Sequence, residues 1–145
     1  MKIRSVWMAS VLTLPIIAAS TSPAPQVSRE VPPGEGVICA WAIYSLIEEV
    51  GRRCAPERYP EGQAELRRSV QRLDDYVRAN SQLTPEEIAR FKSEQAHIGA
   101  PEAELCQGEP LQMFEGVGQI DPVELSTSID ALVARPGTPT WGTCL

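Results

Sequence analysis

The chain has 145 residues, 13 of them basic and 19 acidic, for a net charge of −6. An acidic balance repels nucleic-acid phosphates and anionic lipid headgroups, so neither is expected as a partner. The length suits one domain with a real but modest core.

The first twenty residues carry the three parts of a signal peptide in order. Lys2 and Arg4 are the only charges before Arg29. Val6 to Ala19 is an apolar stretch broken by Pro15, and Ala18-Ala19-Ser20 supplies small residues for cleavage after Ser20. The apolar run is shorter than the roughly 20 residues that span a bilayer, so no stable membrane anchor is expected once the signal is cut. Removing Lys2 and Arg4 leaves 11 basic against 19 acidic residues, a net −8. Arginine supplies nearly all the remaining positive charge, Lys92 being the only lysine after Lys2. That bias, with many Ala and Pro residues, points to a GC-rich bacterial source.

Residues 21–36 hold Pro23, Pro25, Pro32, Pro33, Gly34 and Gly36. They read as a flexible or extended lead-in with little to bury. Residues 37–145 read as a single helical domain.

The first element spans Val37 to Arg53. It is almost continuously apolar through Ile47, so periodicity alone does not separate helix from strand. Its length, Ala40, Ala42, Leu46 and the Glu48-Glu49 pair favour a central buried helix ending at Cys54-Ala55-Pro56. Gln63 to Ala79 is amphipathic, with Leu66, Val70, Leu73 and Val77 on one face of a 3.6-residue period. The third helix announces its start: Thr84 as N-cap, Pro85 in the first position and Glu87 completing a capping box. It is expected to run to about Ile98 and stop at Gly99. Residues 101–116 are a weaker helix. Gly108 and Pro110 predict one kinked helix or two short ones, and Cys106, Met113 and Phe114 share a face if it is continuous. Ile120-Asp121-Pro122 repeats the start signal for a last helix whose buried face is Leu125, Ile129, Leu132 and Val133. Arg135-Pro136-Gly137 ends it, and Thr138 to Leu145 forms an extended tail with Trp141 packed on the bundle. The fold class is therefore all-α: a small bundle of four to five helices.

Cys39, Cys54, Cys106 and Cys144 all follow the signal. An even count in an exported chain points to two disulfides. Zinc or redox chemistry wants a close C-x-x-C pair, which the sequence lacks, and no metal or other cofactor is expected. Cys39 and Cys54 stand roughly 22 Å apart if they flank one helix, too far to bond. An up-down arrangement places Cys54 beside Cys106, which leaves Cys39–Cys144 to tie the tail to the first helix.

No residue declares a catalytic role. His97 is the only histidine and reads as a surface or capping group in the last turn of the third helix. Glu48 and Glu49 offer two carboxylates for a hydrolase, but adjacent helical positions point about 100° apart, and Ser45, Glu48, Glu49 and Arg52 read as a polar face. Arg67, Arg68, Arg72 and Arg78 are diluted by Glu65, Asp74 and Asp75 and read as solvated surface. Trp41, Tyr44, Met113 and Phe114 could line a pocket between helices. The expectation is a small exported, non-enzymatic factor, periplasmic or secreted, that binds another protein in the manner of an inhibitor or envelope factor. The alternatives are a carrier of a lipid or small apolar ligand, and a small hydrolase using Glu48 or Glu49.

Overall fold

The computed structural model describes residues 31–142, so the signal segment and the Cys144 half of the expected Cys39–Cys144 pair lie outside the described residues. Among the described residues six helices follow one another: α1 (Val37–Cys54), α2 (Pro60–Asn80), α3 (Pro85–Gln95), α4 (Glu102–Leu105), α5 (Gly108–Gly118) and α6 (Pro122–Val133). No strand occurs among the described residues. The bundle is all-α, as expected, and a Cys54–Cys106 disulfide with a Cα separation of 5.3 Å staples it. Cys39 is buried and also disulfide-bonded.

Helix α1 is the hub, packing on α2, α3, α4 and α5, while α6 lies on α2. Its apolar run explains this: Val37, Trp41, Ile47 and Val50 are all essentially inaccessible. The expected stripe of α2 is buried at every position, Leu66, Val70, Leu73 and Val77. Leu125 and Ile129 of α6 are buried, with Leu132 and Val133 at the edge of the same core. Burying side chains of this kind contributes about 1.5–3 kcal/mol each before entropy is counted.

The helix ends follow local chemistry. In α3 the capping box forms: Thr84 Oγ1 accepts from the Glu87 N–H at 3.2 Å, and Glu87 Oε2 accepts from the Thr84 N–H at 2.8 Å. In α6 Asp121 Oδ1 accepts from the Val123 N–H at 2.7 Å. Helix α3 is shorter than expected. It closes after Gln95 with two crossed backbone bonds, His97 N–H to Glu94 O and Ile98 N–H to Ser93 O, around His97 at φ 51°. His97 thus takes the left-handed capping position instead of the last helical turn. Helix α2 starts three residues early, with Pro60 in the first position, because buried Gln63 belongs to its body. Its amide donates to the loop carbonyls of Ala55 (2.9 Å) and Arg58 (2.5 Å).

The weak fourth segment is two helices. The chain breaks at Cys106-Gln107, where Cys106 is drawn to Cys54 and Gly108 adopts φ 65°. Pro110 falls in the first turn of α5, where no intrahelical donor is lost.

The end of the lead-in packs against the tail. In residues 31–36 Gly34 and Gly36 are buried, and the segment interlocks with the tail. Arg135 donates to Val31 O (2.7 Å), Thr140 N–H to Gly34 O (2.9 Å), and the first-turn Ile38 N–H of α1 to Thr140 O (3.1 Å). The Tyr76 hydroxyl on α2 donates to the carbonyls of Arg135 (2.9 Å) and Gly137 (3.0 Å). The backbones meet so closely that a Cβ on Gly34 would lie 2.3 Å from Thr138 O, and one on Gly137 2.5 Å from Pro33 O. Gly36 offers no capping side chain, so the tail carbonyl serves α1 in its place.

Candidate functional site

An open cleft of about 260 Å³ runs between α1 and α5. Ala40, Ile43, Tyr44 and Ile47 supply one wall from two consecutive turns of α1; Met113, Gly116 and Val117 supply the other. The lining is almost wholly apolar because both helices turn hydrophobic positions toward each other while Gly116 contributes no side chain. A Cβ built on Gly116 would meet nothing within 4 Å. Gly116 itself is exposed at the lip of the cleft. Burial raises the Tyr44 hydroxyl above its ordinary value, so it stays neutral at any physiological pH.

Of the four side chains expected to line a pocket between helices, Tyr44 and Met113 line this cleft, while Trp41 lies in the core and Phe114 borders a narrow gap between α1, α2 and α5. Both of the latter are 1% exposed core residues. The Trp41 ring stacks on Phe91 at 4.7 Å, and its indole N–H donates to Asp74 Oδ1 at 2.6 Å. Phe114 seats on Gly51, where a Cβ would come within 2.7 Å of its ring, and thereby fixes how α5 crosses α1. The Trp41 ring on α1 and the Phe114 ring on α5 are packed by several helices, which keeps both out of this cleft.

The polar residues singled out above are mostly engaged. Glu49 is buried and accepts from Arg52 at 2.7, 2.8 and 3.0 Å, with Arg53 at 3.8 Å. Ser45 is also buried, and its hydroxyl has no hydrogen-bond partner among the described residues. The expected polar face on α1 is thus not a solvated one; α1 has too many packing neighbours to keep such a stripe. Only Arg52 is well exposed, Glu48 being half-buried.

On α2, Arg78 pairs with Asp75 at the surface. Arg68 and Arg72 converge instead on buried Glu65, each at 2.7 Å, and Arg72 Nε lies 3.5 Å from Asp130 of α6. Asp74 departs furthest from the solvated reading. It turns inward to hold both Trp41 and Lys92, the latter at 2.7 Å, and so ties α1, α2 and α3 together. His97 is exposed at the far end of α3.

A second opening of about 280 Å³ lies where α2 begins and α5 meets α6, lined by Tyr59, Pro60, Glu61, Gly62, Gly118, Ile120 and Pro122. It is a junction of chain ends with a carboxylate in it, whereas the α1–α5 cleft is built from the bodies of two helices. Among the described residues no cluster of His, Cys, Asp or Glu suits a metal ion, and no helix is long and apolar enough to cross a membrane. Trp141, expected to pack on the bundle, tilts onto Phe91 at 6.0 Å yet stays half exposed.

Compared with protein-family models, curated proteins and solved structures, the chain matches none.

Proposed function

We propose that this is an exported, non-enzymatic protein that binds another protein, and that the α1–α5 cleft receives the partner's apolar side chains. The observation that carries the reading is the cleft itself. It is open along two turns of α1 and bounded by Ile43, Met113 and Val117, which stay partly exposed. A shallow apolar groove between two helices is the form that takes anchoring side chains from a partner helix. Export is supported by the signal-like first twenty residues and by the cross-linked cysteines. A carrier of a small apolar ligand is the second reading, favoured by the cleft's volume and apolar lining. A hydrolase through Glu49 has less support, because that carboxylate is already held by two arginines.

The test is Gly116→Leu. The new side chain enters open space beside Met113 and Val117, where it is expected to obstruct the groove, and leucine is a better helix former than glycine by roughly 0.8 kcal/mol. The variant is expected to fold with equal or higher stability by urea denaturation, and to lose the partner that wild-type bait recovers from envelope extract. If wild type and variant recover the same proteins, the cleft is not the binding surface. A small apolar mass held by the wild type in native mass spectrometry and absent from the variant favours the carrier.

A further inference from the structure

The chain has three tyrosines, and two of them donate to acceptors within the fold: Tyr59 to Glu115 Oε2 at 2.8 Å, and Tyr76 to the carbonyls of Arg135 and Gly137. Tyr44 is the exception. It is only 7% exposed, yet among the described residues its hydroxyl makes no hydrogen bond. Buried tyrosine hydroxyls ordinarily find a partner. This one is not sealed in, as the Ser45 hydroxyl is. It keeps contact with solvent, and Tyr44 lines the α1–α5 cleft. The other six lining residues bring no side-chain oxygen or nitrogen to the cleft, and none of them is charged. Burial keeps the hydroxyl protonated, so what the cleft offers is a single donor.

From this we infer that the partner helix covers the cleft with an uncharged apolar stripe containing one neutral side-chain oxygen, such as a glutamine amide, that accepts from Tyr44. The inference rests on the protein-binding reading above and gives that partner its chemistry. The reason is desolvation. A wholly apolar stripe laid over Tyr44 strips water from a donor and leaves it unpaired, which lowers affinity by about 10-fold or more. A helix cannot answer with its main chain, because its interior carbonyls are already bonded. The acceptor therefore comes from a side chain. A carboxylate also accepts, but it would enter an apolar lining that holds no cation. One polar contact among apolar ones then fixes how the occupant lies along the groove.

Three synthetic helices with equal numbers of lysines and glutamates on the polar face test this by fluorescence anisotropy against the oxidised protein. They differ only at the middle of a leucine stripe, which carries leucine, glutamine or glutamate. The glutamine helix is expected to bind at least about 10-fold more tightly than its glutamate isostere. The ratio of glutamine-helix to leucine-helix affinity is expected to fall about 10-fold in Tyr44→Phe, which removes the donor and keeps the ring. Tyr44→Phe is also expected to match the wild-type urea midpoint, since the hydroxyl gives up no bond within the fold. An unchanged ratio, or a lowered midpoint, overturns the inference and leaves the cleft reading standing. So does a glutamate helix that binds as tightly as the glutamine one. If no helix binds, or if binding survives Gly116→Leu, the inference and the cleft reading fall together.

Discussion

Ser45 shows how burial of a polar group can be decided by neighbours that sequence does not reveal. Its hydroxyl lies 2% exposed in the middle of α1 with no hydrogen-bond partner among the described residues. Ser45→Ala removes that unmatched group and raises helix propensity. It is expected to stabilise the fold by about 1 kcal/mol, read as a higher urea midpoint at unchanged m-value. A lower midpoint would mean that the hydroxyl has a partner after all. Asp74 and Gln63 belong to the same class. Each is an ordinary polar letter on an amphipathic helix, and each is drawn inward by a group distant in sequence or by a loop: the Trp41 indole and Lys92 for one, the 55–58 turn for the other. Trp41 and Phe114 mark the converse limit. Their hydrophobicity was legible, but whether a ring fills a core or lines a groove depends on packing from several helices at once.

Among the elements, α3 and α6 were easiest to read, because N-cap chemistry is local and is spelled out within four residues. The start of α2 and the end of α3 were harder. A helix can close on a left-handed histidine as well as on glycine, and only the downstream glycine was visible. The α4–α5 break was anticipated as an alternative, since Gly108 weakens a helix wherever it falls. The face of α2 that meets α6 carries a charge device with a measurable signature. Burial pushes the Glu65 carboxyl up, but hydrogen bonds from Arg68 and Arg72 and their positive charges outweigh it and hold the group below its usual 4.5. A carboxyl lowered by folding contributes stability fully above its ordinary value, and that contribution is lost as pH falls through the folded value. Glu65→Gln is therefore expected to be less stable than wild type near pH 7, with the gap narrowing below about pH 4.5. Denaturation curves at the two pH values check this. A gap that stays constant would mean that the lost packing, not the charge, matters.

For the whole molecule, the Cys54–Cys106 bond closes a loop across a separation of 52 residues. Restriction of the unfolded chain by a loop of that size is worth about 4 kcal/mol. Treatment with a strong dithiol under non-denaturing conditions is therefore expected to lower the urea midpoint sharply. Because Cys106 stands just before α5, loss of the bond also loosens the wall of the cleft. A second global prediction concerns the interlocked ends. Gly34 sits at φ 83° with a backbone oxygen where a Cβ would go, so Gly34→Ala is expected to cost about 2–3 kcal/mol in urea denaturation. An effect of a few tenths would show that the two segments part easily. The interlock could not be read from sequence, since Pro and Gly announce turns but not which distant strand of chain they will touch.

That interlock also sets an order of events in time. Arg135 and Val31 are 104 positions apart, and the first turn of α1 borrows its acceptor from Thr140. During synthesis the most buried helix is made early and lacks its cap until Thr140 has emerged. Contacts of such separation form slowly, after the loop between them has closed. The cap of the central helix is therefore among the last native contacts to close, after the core it belongs to has begun to pack.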